Sequence, residues 1–196
     1  MARKINAMPK GYHTATPVLV VKNADAGIEY YTSVFGAKEL SRTLASDGIT
    51  ILRAELKIGN SIIHVSDEMP AYGILSPISL GGTATAVQLY LSNVDKVWQR
   101  AVEADVTVIL PLEDTYWGER TGKVIDAFGH VWVLSRQTEV LSQKEIAKRA
   151  EALFGVKELD EAASEIELAE VVPVIDLTAA NNTEVEVATP VSATTH

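Results

Sequence analysis

The chain has 196 residues, 47% hydrophobic and 22% charged, which is enough to bury a core in one domain or in two small modules. It contains no cysteine, so disulfides, thiolate metal sites and cysteine nucleophiles are excluded. The net charge of −9 lies almost entirely in residues 156–196, which hold nine acidic residues and one lysine, and this argues against nucleic acid as a partner because phosphate binding needs clustered lysine and arginine.

The first ten residues read as an N-terminal arm. They lack the apolar stretch of an export signal, and no apolar run elsewhere approaches the roughly 20 residues that span a membrane. We therefore expect a cytoplasmic location and no membrane partner.

Two segments repeat the same order of elements 70 positions apart. Residues 16–21 and 86–91 read as strands, and each is followed by an asparagine cap and an acidic residue that begin a helix. Both helices place apolar residues at helical spacing, which predicts one buried face for each. The predicted face residues are Ile28, Tyr31, Val34 and Phe35 in the first helix, and Val94, Val97, Trp98 and Ala101 in the second.

Three strands follow each helix. Patterns rich in β-branched and apolar residues predict strands in the first half at 38–43, 49–58 and 61–66, and in the second half at 107–110, 122–126 and 131–136. Each half is therefore a βαβββ module, at about 11–68 and 84–140. The turn-rich residues 68–83 form the connection between the modules.

The end of the chain divides into a helix and a tail. Ser142 and Glu145 form a capping box, which predicts a closing amphipathic helix over 142–154. Residues 156–196 are acidic and rich in Ala, Thr and Val, so we expect a largely disordered tail there.

A loop and a turn in the second half carry a family resemblance. Residues 117–120 read Trp-Gly-Glu-Arg and precede a strand, and residues 126–130 read Asp-Ala-Phe-Gly-His and reverse the chain into the last strand. This arrangement resembles the last module of the vicinal-oxygen-chelate superfamily of glyoxalases, bleomycin-resistance proteins and dioxygenases, and the PhnB-like branch most of all. Ala127 stands where that branch usually has proline.

The resemblance implies an α+β fold over residues 11–155. In this fold two βαβββ modules form curled mixed sheets around a cleft, and a homodimer is the usual assembly. It also implies four metal-ligand positions in the metal-using members, which fall on Thr16, His64, Ala86 and Val133. A shift of two residues along the strands would replace Thr16 by Val18 and Ala86 by Gln88.

Most of these four positions lack a donor that binds a divalent ion strongly. We therefore expect no catalytic metal and no other cofactor. If a divalent metal is present, His64 and Gln88 are the residues that would hold it. His64 is otherwise either a cleft group that touches a ligand or a strand histidine satisfied by a neighbour.

Other candidate site residues lie on a strand and in the loop. Glu55 alternates with Arg53 and Lys57, so this face is either solvated or lines the cleft, where Glu55 could act as a general base with a raised pKa. The resemblance implies that Tyr116 and Trp117 stack on a flat ligand while Arg120 pairs with an anionic group. Alternatively, Trp117 covers the end of the sheet and Arg120 pairs with Asp114 or Glu119.

The function that these features favour is binding of a small aromatic or apolar molecule without a metal. The first alternative is a metal-dependent glyoxalase-like lyase or isomerase. The second is an interaction module that uses the acidic tail.

Overall fold

The computed structural model describes residues 6–155, and the first module occupies its beginning. The elements are β1 (Val18–Val21), α1 (Ala24–Phe35), β2 (Lys38–Leu44), β3 (Ile51–Ile58) and β4 (Ser61–Asp67). The strands form one sheet in the order β1-β4-β3-β2, in which β1 runs parallel to β4 and the other pairs are antiparallel.

A connection with two short helical turns leads to the second module. It contains a 3-10 turn (Pro70–Tyr72) and α2 (Pro77–Leu80). The second module follows with β5 (Ala86–Tyr90), α3 (Val94–Glu103), β6 (Thr107–Asp114), β7 (Glu119–Ile125) and β8 (Val131–Gln137), and α4 (Gln143–Phe154) closes the described part. Its sheet has the matching order β5-β8-β7-β6. The predicted fold of two βαβββ modules is confirmed.

Local signals fix the helix ends. The Asn23 side chain accepts a hydrogen bond of 3.0 Å from the backbone N–H of Ala26, and Gly36 ends α1 with a φ of 69°. Ser142 caps α4 by accepting from the N–H of Glu145. Asn93 holds the cap position of α3, but its side chain makes no capping hydrogen bond, so only its place was predicted correctly.

The pairing register shows which positions of the two sheets correspond. In the first sheet His64 lies between Val18 on β1 and Glu55 on β3. In the second sheet Val133 lies between Gln88 on β5 and Lys123 on β7. Val18 and Gln88, His64 and Val133, and Glu55 and Lys123 are therefore equivalent pairs.

One hydrophobic core joins both modules. All four predicted face residues of α1 are buried, as are Val94, Val97 and Ala101 of α3, whereas Trp98 is partly buried against the same cluster. Fully buried Trp132 contributes the largest side chain from the second sheet. The predicted core faces of the two helices are confirmed.

Buried polar contacts also tie the modules together. The carboxylate of Asp126 accepts from the hydroxyl of Tyr31 at 2.9 Å and from the indole N–H of Trp132 at 2.7 Å. The same carboxylate accepts from the backbone N–H groups of Phe128 and His130, which shapes the predicted turn. A residue of the second module thereby fixes a helix of the first.

The structure corrects two of the predicted boundaries. Glu119 and Arg120 were expected in a loop, but both belong to β7, and β6 continues to Asp114 to pair with Arg120. Ile49 was expected in a strand, but the Asp47 side chain accepts from the N–H groups of Ile49 and Thr50 and holds them in a turn. The predicted disordered tail lies outside the described residues.

The described helices are also short. Among residues 6–155 none is long and apolar enough to cross a membrane.

Candidate functional site

Each sheet has a helix-facing side and an open side. On β3 the buried residues Ala54, Leu56 and Ile58 face the helices, so Arg53, Glu55 and Lys57 project to the open side. The same alternation on β7 buries Val124 and places Thr121 and Lys123 on the open side. Candidate site residues lie on both open sides.

The open side of the second sheet contains a cavity of about 390 Å³. Its wall combines aromatic, aliphatic and polar groups from all four strands and from the turn between β6 and β7. The lining residues are Gln88, Tyr90, Leu110, Trp117, Glu119, Thr121, Gly122, Lys123 and Val133.

Glu119 holds two aromatic side chains at this cavity. One carboxylate oxygen accepts from the Tyr90 hydroxyl at 2.9 Å, and the other accepts from the indole N–H of Trp117 at 3.1 Å. The hydrogen bond to Glu119, with burial as a smaller cause, raises the pKa of Tyr90. Gly118, with a φ of 84°, lets the chain turn between Trp117 and Glu119.

Hydroxyl and amide groups line the floor of the cavity. Gln88 donates from Nε2 to the Ser135 hydroxyl at 2.9 Å, and the Thr121 hydroxyl lies 2.7 Å from the same oxygen. Ser135 is fully buried, so its hydrogen bonds hold the side chains of Gln88 and Thr121 in place at the cavity.

A separate polar cluster occupies the open side of the first sheet. Nη2 of Arg53 lies 3.0 Å from Nε2 of His64, 3.1 Å from the Tyr12 hydroxyl and 2.9 Å from the Glu55 carboxylate. The Tyr12 hydroxyl itself is 3.1 Å from Nε2 of His64. Because Arg53 can only donate, Nε2 of His64 is the acceptor and the proton of the neutral ring is assigned to Nδ1.

Burial is the main cause of a lowered pKa at His64, and the positive charge of Arg53 adds to it. Burial also raises the pKa of Tyr12, assisted by Glu55. Of the two sequence interpretations of His64, this geometry matches the histidine that neighbouring side chains satisfy.

These residues do not fit a divalent metal. Val18 lies directly beside His64 and Gln88 beside Val133, so two of the four positions in this row carry no donor atom. The acceptor nitrogen of His64 is occupied, and the adjacent guanidinium of Arg53 would repel a cation. Among residues 6–155 no three His, Asp or Glu side chains are grouped to hold an ion.

The remaining predicted residues lie apart from the cavity wall. Arg120 pairs with Asp95 at 2.8 Å and with Asp114 at 3.4 Å, because the strand alternation turns it away from Glu119 and Thr121. Of the two interpretations of Arg120 from the sequence, the pair with Asp114 is therefore the one observed. Tyr116 packs edge-on against Trp117, with ring centroids 4.8 Å apart, and also contacts Phe154 of α4.

The structure thus brings two of the predicted residues, Gln88 and Trp117, into one cavity. His64 and Glu55 share the other open side and do not line this cavity. Sequence reasoning missed Tyr90, Glu119 and Lys123 as cavity residues. Alternation along β7 was the available signal for Glu119 and Lys123, but Glu119 lay outside the strand predicted at 122–126.

Three comparisons with known proteins agree with this architecture. The family model described as Glyoxalase/Bleomycin resistance protein/Dioxygenase superfamily matches residues 12–134. An uncharacterized protein of Mycobacterium bovis is 37% identical over 134 residues, which are 67% of this chain and 88% of that protein.

Two solved structures are also similar. TioX from Micromonospora sp. ML1 has a TM-score of 0.50 and 29% identity over 63% of this chain and 98% of its own. A protein from Pseudomonas aeruginosa has a TM-score of 0.53 and 20% identity over 64% of this chain and 98% of its own, a likeness of fold.

Proposed function

Because the chain belongs to the glyoxalase/bleomycin resistance protein/dioxygenase superfamily, we propose that it is a PhnB-like member that binds a small aromatic or apolar molecule without a catalytic metal. The observation that carries this proposal is the cavity of about 390 Å³ on the second sheet. Its volume lies within the roughly 300–1,000 Å³ of small-molecule sites.

The wall of the cavity supports a flat ligand. Trp117 is 39% exposed and Tyr90 is 64% exposed, so each has ring surface available for contact. Glu119 fixes both rings by hydrogen bonds, which lowers the entropy that a ligand would lose in ordering them. Leu110 and Val133 supply aliphatic surface to the same space.

Binding without a metal is part of the proposal. It is supported by the donor-free Val18 and Val133 and by the contacts that occupy His64. The alternative of a metal-dependent lyase or isomerase would need His64 and Gln88 in one site, and the lining of the cavity on the second sheet includes Gln88 but not His64. The alternative that uses the acidic tail concerns residues outside the described part.

We also propose a cytoplasmic homodimer. Support for the dimer comes from strands β1, β2, β5 and β6, which lie at the edges of their sheets, and from exposed Val18 on the open side of the first sheet. Light scattering at micromolar concentration would give the mass that decides this point.

Nuclear magnetic resonance can test the binding site. The chain has three tryptophans, and titration with 2-naphthol should shift the indole N–H signal of Trp117 while that of buried Trp132 stays in place. Replacing Trp117 by alanine should weaken 2-naphthol binding about tenfold, the loss expected for an aromatic contact.

Tyr72→Ala is the matched control, because Tyr72 is 80% exposed in the connection between the modules. It should leave the affinity unchanged, and so should Arg120→Ala. Absence of any Trp117 shift across a panel of flat aromatic molecules would refute the proposed site.

A further inference from the structure

Lys123 is a charged residue of the cavity wall to which neither the fold nor the proposed aromatic contacts assign a role. It lies on the open side of β7 between Val133 of β8 and Leu110 of β6, and it is half-buried. Among residues 6–155 its ammonium makes no ion pair and no side-chain hydrogen bond. A lysine between two aliphatic neighbours is more usually paired or fully solvated.

The acidic residue of the cavity does not neutralise Lys123. Glu119 lies four residues earlier on the same strand, which corresponds to about 13 Å between the Cα atoms. Both of its carboxylate oxygens already accept hydrogen bonds, from Tyr90 and from Trp117. Among residues 6–155 no other Asp or Glu lines the cavity.

The first sheet shows what neutralisation looks like at the same register. There Glu55 takes the position equivalent to Lys123, and its charge is matched by Arg53 at 2.9 Å. The second sheet has no such pair at this position. The positive charge therefore faces the space that a ligand would fill.

We infer that the cavity selects flat aromatic molecules that carry an anionic substituent such as a carboxylate. This inference rests on the proposed function and names the chemical class of its ligand. The ammonium of Lys123 pairs with the anion, and Thr121, held on the same face, offers a hydroxyl beside it. Trp117 and Tyr90 contact the aromatic ring. An anion fits because a charge partly removed from water is stabilised by an opposite charge.

A pair of probes with the same ring separates charge from shape. At pH 7.5 2-naphthoate is an anion, whereas 2-naphthamide is neutral and has nearly the same size. The wild-type protein should bind 2-naphthoate about tenfold more tightly than 2-naphthamide, the gain expected of a hydrogen bond to a charged group. Calorimetry and the Trp117 indole signal would measure both affinities, and added salt should weaken only the binding of 2-naphthoate.

Variants assign the preference to one residue. Lys123→Met should remove the preference for 2-naphthoate and leave 2-naphthamide binding unchanged, whereas Lys123→Arg should retain the preference. Lys57→Met is the matched control, since Lys57 lies exposed on the open side of the first sheet, outside the cavity. A dispersed amide spectrum would show that each variant is folded.

The outcomes distinguish the two proposals. Equal binding of both probes to the wild-type protein, or an equal loss of both in Lys123→Met, would overturn the anion preference alone. Failure of both probes to shift the Trp117 signal would overturn the binding site as well.

Discussion

The two modules share one topology but use their open sides in opposite ways. The row Val18, His64 and Glu55 of the first sheet corresponds to Gln88, Val133 and Lys123 of the second. In the first sheet the polar residues of the row are satisfied by Arg53 and Tyr12. In the second sheet the row borders a cavity, and among residues 6–155 the ammonium of Lys123 has no ion-pair partner. A duplicated fold can thus keep its backbone register while one copy pairs its polar groups with each other and the other copy places them at the wall of a cavity.

The helix-facing sides of the two sheets differ in the size of the side chains at equivalent positions. Ala54 of the first sheet corresponds to Gly122 of the second, and Ile28 of α1 corresponds to Trp98 of α3. A larger helix residue is matched by a smaller strand residue. In the second module the indole ring of Trp98 occupies the space that a Cβ atom on Gly122 would need.

Breaking the link between the modules should have the largest effect on stability. In Asp126→Asn an amide replaces a carboxylate that accepts four hydrogen bonds, two at each oxygen. The amide nitrogen must therefore face either the donors of Tyr31 and Trp132 or the backbone N–H groups of Phe128 and His130. At a cost of about 1–3 kcal/mol for each buried unsatisfied group, the free energy of unfolding should fall by about 2–5 kcal/mol. Urea denaturation would measure it.

Two further variants show whether the stability lost in Asp126→Asn comes from the contact between the modules. Tyr31→Phe removes one donor and leaves three, so it should cost only about 1 kcal/mol. Asp67→Asn changes a carboxylate that accepts two backbone N–H groups within the first module, from Ala24 and Ile51, and should cost less than Asp126→Asn. A loss below 1 kcal/mol for Asp126→Asn would contradict the role of this carboxylate.

The different side-chain sizes at the helix–sheet contacts of the two modules predict a loss of stability of intermediate magnitude. A Cβ atom on Gly122 would collide with the indole ring of Trp98, so Gly122→Ala should destabilise the protein by about 1–3 kcal/mol. Adding Trp98→Ile, which copies the pairing of the first module, should recover part of that loss. Thermal and urea unfolding of the single and double variants would measure the coupling.

Gly27→Ala is the matched control in the first module. Its new Cβ would lie 3.4 Å from Val21, an ordinary contact, and alanine favours helix over glycine by about 1 kcal/mol. This variant should be neutral or stabilising. If Gly122→Ala behaved in the same way, the proposed exchange of volume would be wrong.

Much of the fold could be predicted because its signals are local. The repeat of 70 residues, the caps and the apolar faces of the helices all depend on neighbours in sequence. The Trp117 loop and the Asp126 turn identified the superfamily for the same reason. The site position on the first strand of the second half was predicted at Ala86 or, two residues further on, at Gln88. The pairing of β5 with β8 places Gln88 beside Val133.

The parts of the site that escaped prediction depend on register and on distant contacts. The family resemblance of the Trp117 loop implied that Arg120 contacts the ligand, with a pair to Asp114 or Glu119 as the alternative. Strand alternation gives successive side chains opposite faces, which turns Arg120 away from the cavity. Lys123 lay inside the predicted strand at 122–126, but no local pattern showed that its face of the strand lines a cavity. The contact between Tyr12 and His64 joins residues 52 positions apart, and no local pattern reports it.

The smallest expected effect is a pH dependence that belongs to the first module alone. Burial and the positive charge of Arg53 lower the pKa of folded His64 below its value of about 6.5 in unfolded chains, with Glu55 acting in the opposite direction. The folded state therefore binds this proton less readily than the unfolded state. The stability that neutral His64 contributes is complete above pH 6.5 and is lost as the pH falls through the lower folded value.

Between pH 8 and pH 5 the wild-type protein should consequently lose more free energy of unfolding than His64→Gln. Arg53→Met should reduce the difference without removing it, because burial is the larger cause. Val133 occupies the equivalent position in the second sheet and cannot titrate, so amide signals around the cavity should stay constant while those around His64 move. Equal acid sensitivity of the wild-type and His64→Gln proteins would mean that burial and the charge of Arg53 do not hold this histidine neutral. The contrast between a first sheet whose polar groups pair with each other and a second sheet whose polar groups line a cavity would then rest on the cavity alone.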